Sequence, residues 1–132
     1  MRNISFSMTT AQFKDRSKTV TRRLGWGCVI QALKQGRPFK LMGCEKCMGR
    51  KVDEPLVRLG PIEIVSAHWE PLQRMIDDPV YGKAECVREG FPDWTPEQFV
   101  QFFCKGHKLP DGRPCTPASL VNRMEFRYLD PA

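Results

Sequence analysis

Apolar and polar residues alternate at both ends of the chain, with the period of a half-buried strand. Near the N-terminus the apolar positions are Ile4, Phe6 and Met8. Near the C-terminus, in "SLVNRMEFRYL", they are Leu120, Met124, Phe126 and Tyr128. The charged residues between them should therefore face outward. Between the two ends, β-branched and apolar runs predict further strands in "KTVTRR", "PFKLMGCEKC" and "LVRLGPIEIVSAHW".

Helix signals separate these strands. Thr9 and Gln12 have the spacing of a capping box, which predicts a helix that begins after Thr9. The segment "VIQALKQG" predicts a short helix closed by glycine, and "YGKAECVREG" predicts one that buries Ala84 and Val87. In "TPEQFVQFFCKG" the N-cap is Thr95, followed by proline at the first helical position.

The order of these elements predicts the fold class. At 132 residues the chain has the length of a single domain, here taken as residues 1–132. Strands at both ends and in the middle, with short helices between them, predict an α+β domain around a curved or barrelled sheet. The strand through "IEIVSAHW" carries apolar residues on both faces and should be covered on both sides, after a bend at Gly60-Pro61.

Composition bears on partners and compartment. Lys and Arg number 21 against 15 Asp and Glu, a net charge of +6, which suits a partner rich in phosphate or acidic groups. The N-terminus lacks the apolar run of a signal peptide, and nowhere do about 18 apolar residues follow one another. We therefore expect a cytoplasmic protein without a membrane partner, whose six cysteines are reduced thiols.

The segment "RSKTVTRRLGW" interleaves cations with threonines around a single valine. Such a segment is either a solvated sheet edge or a surface that faces an anionic ligand. Arg22 and Arg23 would contact phosphate groups, or else pair with acids such as Glu125. Trp26 would stack on a base, or else fill part of the core.

The order of elements resembles that of the ASCH domain family, with "SKTVTRR" after the first helix, "EGF" at the end of a later helix and "NRMEFRYL" as the last strand. The resemblance extends from Ile4 to Leu129. It implies the fold of the PUA-like superfamily, a small β-barrel of about five to six strands with short helices at its rim. It also implies a nucleoside or RNA ligand. The chain departs from many relatives at Arg37, where they carry an acid, and it is longer after Gly106.

In its motif the chain is most similar to the bacterial N4-acetylcytidine amidohydrolases, which carry Lys-Thr-x-Thr-x-Arg and a later helical Glu. This similarity implies that Lys18, Thr21 and Glu89 are catalytic and that Arg23 is the motif arginine. The expected ligand-binding residues are Thr19, Arg22, Arg23 and Trp26. The resemblance implies no cofactor.

Hydrolysis of an amide by Thr21 needs a base, because a threonine hydroxyl is a poor nucleophile until its proton is removed. In one assignment Lys18 is that base, with a pKa about 3 units below its ordinary value. In the other, which is electrostatically cheaper and which we prefer, Lys18 stays charged and stabilises the oxyanion while Glu89 takes the proton. Both assignments require Lys18 to lie in a turn before the strand, because Lys18 and Thr21 point oppositely in a regular strand.

Glu89 carries a separate signal. It lies in the last turn of its predicted helix, where the helix dipole disfavours an acid by several tenths of a kcal/mol. Such a placement requires a compensating cation, and Lys18 or Arg88 could supply it.

The resemblance implies hydrolysis of an amide on an acylated cytosine. Two alternatives stay open, a non-catalytic RNA-binding module and an ASCH nuclease that cuts RNA. A zinc site has suitable spacing in Cys44, Cys47, Cys104 and His107. The first pair falls in a predicted strand and the second straddles a helix end, so no metal is expected.

Overall fold

Strands and short helices alternate along the chain, as a computed structural model describes for residues 1–130. The strands are β1 (Arg2–Ser5), β2 (Val20–Arg23), β3 (Phe39–Cys44), β4 (Arg58–Pro71) and β5 (Leu120–Tyr128). The helices are α1 (Thr10–Lys14), α2 (Gly27–Lys34), α3 (Arg74–Asp77), α4 (Pro79–Glu89) and α5 (Pro96–Gly106). The predicted α+β class is confirmed. Within the described range, none of these helices has the length and apolar character needed to cross a membrane.

The five strands form one mixed sheet in the order β1-β3-β4-β5-β2. Strand β1 is parallel to β3, and the other neighbouring strands are antiparallel. The sheet curls into a half-barrel whose edge strands are β1 and β2. The guanidinium of Arg23 on β2 donates a hydrogen bond to the carbonyl of Ser5 on β1, so a side chain links the two edges.

Two apolar clusters hold the fold together, and burial of each large side chain contributes about 1.5–3 kcal/mol. The first lies between the sheet and helices α1 and α2, and contains Ile4, Phe6, Phe13, Val29, Leu41, Ile62, Ile64, Met124 and Phe126. The second packs α3, α4 and α5 against the start of β5, and contains Leu72, Met75, Cys86, Phe99, Val100, Phe103, Cys115 and Val121.

Local signals set several boundaries as predicted. Thr95 caps α5, since its hydroxyl accepts from the Gln98 N–H at 3.2 Å while the Gln98 side chain accepts from the Thr95 N–H at 2.8 Å. Gly90 ends α4 with φ of 100°, and a Cβ there would lie 2.8 Å from the Gln12 side chain. The bend expected at Gly60-Pro61 is a shift of register in the β3–β4 ladder.

Several predicted orientations in the strands are wrong. Met8 is 68% exposed, because β1 ends at Ser5 and the alternation does not continue beyond Phe6. Leu120 is 58% exposed as the first residue of β5. Arg123 does not face outward, since it donates to a buried glutamate. In β4, Val65 and Trp69 remain partly exposed, so this strand is not covered on both faces.

The inward face predicted for α4 is also wrong. Val87 is 45% exposed, whereas Glu85 and Glu89 are buried, because α4 turns its acids toward an arginine of the sheet. The capping box predicted at Thr9 does not form. Helix α1 begins at Thr10, whose hydroxyl donates to the carbonyl of Phe6 at 2.9 Å.

Candidate active site

Lys18 lies in the turn between α1 and β2, before regular pleating begins at Val20, as both catalytic assignments require. Its backbone N–H donates to the carbonyl of Gln12 at 3.2 Å. Its own carbonyl accepts from the Tyr128 hydroxyl at 2.6 Å. These two bonds direct the side chain inward, where Lys18 is only 3% exposed.

The ammonium of Lys18 meets the end of α4. Its Nζ donates to Oε1 and to the backbone carbonyl of Glu89, each at 2.9 Å. Burial lowers the pKa of Lys18 below its ordinary value of 10.5, the Glu89 carboxylate opposes this change, and the charges of Arg23 and Arg22 reinforce it. Glu89 thus has the compensating cation that its place in the last helical turn calls for.

Thr21 lies on β2 and is 3% exposed. Its hydroxyl oxygen accepts from Nε of Arg23 at 3.0 Å, which leaves the hydroxyl proton for another acceptor. The Arg23 guanidinium also lies over the ring of Phe6, 5.3 Å from its centroid. The arginine therefore fixes the orientation of the threonine oxygen.

A cavity of about 190 Å³ lies at the opening between β1 and β2, and Lys18, Thr21 and Glu89 all line it. Its charged wall consists of Lys18, Thr21, Arg22, Arg23 and Glu89. Its aromatic wall consists of Phe91, Phe99, Phe102, Phe103 and His107. A cavity lined by an ammonium, a hydroxyl and a carboxylate together with aromatic rings can hold a planar ligand against a nucleophile.

Arg22 differs from Arg23 in its surroundings, since its side chain has no exposed surface. Its Nη1 donates to Oε2 of Glu89 at 3.0 Å, and its Nη2 donates to Glu85 at 2.6 Å and to Glu70 at 3.3 Å. Burial alone would lower the pKa of Arg22, but the charges of Glu89 and Glu85 outweigh burial and raise it. Arg22 therefore pairs with acids, which is one of the two predicted alternatives, but these acids do not include Glu125.

Glu85 and Glu70 were not among the predicted site residues. Glu85 has no exposed surface, and it accepts from Arg22, Arg88 and Arg123. These bonds outweigh burial and lower the pKa of Glu85 to about 2. The pKa of Glu70 is also lowered, because bonds from His68 and Tyr81 outweigh burial. The available signal was the spacing of Glu85 and Glu89, four residues apart on one helix face.

Thr19 and Trp26 do not line the cavity. The backbone of Thr19 joins elements, since its N–H donates to the Arg88 carbonyl and its carbonyl accepts from the Phe126 N–H. Trp26 packs against the first apolar cluster, with the Arg2 guanidinium 4.4 Å from its ring centroid. The structure therefore brings five of the seven predicted site residues together and leaves these two outside.

The candidate zinc ligands do not converge. Between residues 1 and 130 there is no group of three or more His, Cys, Asp or Glu side chains that could hold a metal ion. Cys104 and Cys115 are free thiols that lie side by side. Burial, together with a hydrogen bond between the two thiols, raises the pKa of Cys104 to about 11. His107 stacks on the ring of Phe103 at 4.0 Å and its Nδ1 lies 2.8 Å from the Phe103 carbonyl, so both residues of the second candidate pair have other partners.

Comparison of the chain with protein-family models, with curated proteins and with solved structures gave no match. The similarity to the ASCH family therefore rests on the motif residues, and membership of that family stays a prediction. The structure shows where the three residues with implied catalytic roles lie. Lys18, Thr21 and Glu89 line the same cavity.

Proposed function

We propose that this protein is an ASCH-type, PUA-like domain that hydrolyses the amide of an N4-acylated cytosine nucleoside in the cavity between β1 and β2. One observation carries the proposal. Lys18 and Glu89, 71 residues apart in sequence, form a buried ion pair in the cavity that Thr21 also lines. Perturbed ionisable groups beside a hydroxyl in a concave site are typical of covalent catalysis.

The reaction runs in two halves. Thr21 Oγ1 attacks the amide carbon, and its proton passes to the Lys18–Glu89 pair. The C–N bond then breaks, and the pair returns the proton to the N4 amine, which leaves as cytidine. A water molecule attacks the remaining acyl ester and gives its proton to the pair. The ester bond breaks, the carboxylic acid is released, and Thr21 regains its proton.

Lys18 and Glu89 act together in this step, because the two groups share a hydrogen bond of 2.9 Å in a buried site. The lowered pKa of Lys18 supports its use as a proton acceptor. Both oxygens of Glu89 already accept from cations, Oε1 from Lys18 and Oε2 from Arg22, so the carboxylate is occupied. We therefore assign the proton from Thr21 to the neutral amine form of Lys18, which the lowered pKa favours, and the ammonium that forms is the one that pairs with Glu89.

An uncharged nucleoside suits the cavity better than a nucleic-acid backbone. The cations that line the cavity in the described part of the chain are Lys18, Arg22 and Arg23, and each of them already has polar partners within the protein. The aromatic wall offers base stacking, which contributes about 1–3 kcal/mol per base. The volume of about 190 Å³ is small beside the 300–1,000 Å³ or so of ordinary ligand pockets, so the base and its acyl group would fill it.

The experiment that tests this proposal is incubation with N4-acetylcytidine and chromatography for cytidine. We expect the wild type to release cytidine and Glu89→Gln to release at least about a hundredfold less. The rate should change less than about twofold between low and moderate salt, whereas phosphate-dominated RNA binding weakens steeply with salt. If no cytidine is released, the proposed hydrolysis is wrong. Tight and strongly salt-dependent RNA binding by such an inactive protein would identify it as a binding module.

A further inference from the structure

The guanidinium of Arg22, a residue of the charged wall, joins three carboxylates. It contacts Glu89, Glu85 and Glu70 at 3.0, 2.6 and 3.3 Å. Removal of a charge from water is costly unless the charge is paired and hydrogen-bonded. Its Nε is buried and, among the described residues, has no hydrogen-bond partner. The sequence pattern suggested a ligand contact, but these donors are committed inside the protein.

Glu85 fixes the place of this guanidinium. Arg22 and Arg123 lie directly opposite each other in the β2–β5 ladder, where like charges repel. Glu85 Oε1 accepts from both arginines, at 2.6 Å each, and so lies between the two charges. Because Glu85 is fully buried on a helix, it holds Arg22 at a defined position relative to α4.

The same helix face presents Glu89 to the other end of the guanidinium. Glu85 and Glu89 are one helical turn apart, so one arginine reaches both acids. The oxygens of Glu89 have separate partners, with Oε2 accepting from Arg22 and Oε1 from Lys18. A carboxylate held at both oxygens has one orientation.

We propose that Arg22, anchored by Glu85 and Glu70, is a positioning residue that turns Glu89 toward Lys18 and does not contact the ligand. The inference rests on the proposed hydrolysis and deepens it, because it separates the residues that meet the substrate from the one that orients them. The positive charge of Arg22 also contributes, after burial, to the lowered pKa of Lys18.

The variant Arg22→Lys tests the role, since an ammonium keeps the charge but cannot bridge several carboxylates as a guanidinium does. With N4-acetylcytidine as substrate, we expect kcat to fall about tenfold or more while KM stays within about twofold. The matched control is Arg127→Lys, at an exposed pair with Glu63. It should leave both constants unchanged. A raised KM with unchanged kcat would assign Arg22 to ligand binding and overturn the proposal.

A crystal structure of Arg22→Lys gives a readout that does not depend on activity. The distance from Lys18 Nζ to Glu89 Oε1, 2.9 Å in the wild type, should lengthen beyond about 3.2 Å. An unmoved carboxylate would overturn the positioning role even if the wild type hydrolyses the nucleoside. If the wild type releases no cytidine but the carboxylate moves, the proposed function fails and the positioning stands.

Circular dichroism establishes that the variant is folded. If Arg22→Lys does not fold, Glu70→Gln replaces it, because this change removes only one of the carboxylates that hold Arg22 and lies outside the cavity lining. The same lengthening of the Lys18–Glu89 distance and the same fall in kcat are expected, though smaller. An unchanged distance and unchanged kcat in a folded Glu70→Gln would remove Glu70 from the anchor and contradict the proposal.

Discussion

The two walls of the cavity are built in different ways. On the charged wall, hydrogen bonds from several elements hold each group, as when Glu89 lies between Lys18 and Arg22. On the aromatic wall, the phenylalanine rings contact one another without directional bonds, as when Phe91 packs edge-on against Phe102 at 5.9 Å. Chemistry requires atoms at fixed distances, whereas stacking tolerates small displacements. The charged wall should therefore control rate and the aromatic wall affinity.

Removal of the proposed nucleophile should have the largest effect on the rate. Thr21→Val keeps the shape of the side chain but has no hydroxyl, so kcat should fall about ten-thousandfold. Steady-state cytidine release measures the effect. Thr21→Ser, which keeps the hydroxyl, is the control and should stay within about tenfold of the wild type. Equal rates for valine and serine would show that residue 21 is not the nucleophile.

Lys18→Arg separates the two assignments of the proton. Arginine keeps the positive charge but stays protonated, so it cannot accept the proton of Thr21. We expect kcat to fall about a thousandfold, the size of a typical general-base contribution. The pH dependence of kcat/KM reports the same group, because only the deprotonated amine of Lys18 can accept a proton. The rate should therefore rise with pH, and the midpoint of this rise should lie below the ordinary lysine pKa of 10.5. Full retention of rate in Lys18→Arg would mean that the ammonium only stabilises charge.

Glu85→Gln tests the anchor of the charged wall through stability. The pKa of Glu85 falls from an ordinary 4.5 to about 2 in the folded protein, so its stabilisation is present above pH 4.5 and is lost as the pH falls toward 2. One pKa unit corresponds to about 1.4 kcal/mol, so the wild type should lose about 3 kcal/mol more than the variant over this range.

Urea unfolding at several pH values measures this difference. Glu125→Gln, at a carboxylate that is 41% exposed, is the control. It should follow the wild type. Parallel curves for Glu85→Gln and the wild type would show that Glu85 adds no pH-dependent stability.

The aromatic wall should respond in KM instead. Phe102→Ala removes a partly buried ring of the wall, and loss of one stacking contact should raise KM about tenfold with kcat changed less than about threefold. Phe39→Ala removes a partly buried ring that does not line the cavity and should leave KM unchanged. If kcat falls in Phe102→Ala and KM does not rise, the division of roles between the two walls is wrong.

Short-range signals carried much of the fold. The cap at Thr95 and the proline after it depend on neighbouring residues, so the start of α5 could be predicted. The turn that holds Lys18 could be inferred because a regular strand would separate it from Thr21. The end of α4 could be predicted at Gly90, and the need of Glu89 for a cation followed from its place in the last turn.

The rest depends on tertiary packing. Helix α4 has few apolar residues, and its inward face could not be assigned because that face carries Glu85 and Glu89. Arg88 forms an ion pair with Glu85, whereas the local sequence made it a candidate partner of Glu89. The aromatic rings of α5 have the spacing of ordinary core residues, so their exposure to a cavity depends on where the half-barrel stays open.

The proposed function requires this cavity to hold an acylated cytosine with its amide against Thr21. A crystal structure of Thr21→Val with N4-acetylcytidine would show whether it does. We expect the base to lie along the aromatic wall and the amide carbon to lie within about 3.5 Å of the position of the missing hydroxyl. A ligand bound elsewhere, or a cavity that stays empty at saturating nucleoside, would contradict the account.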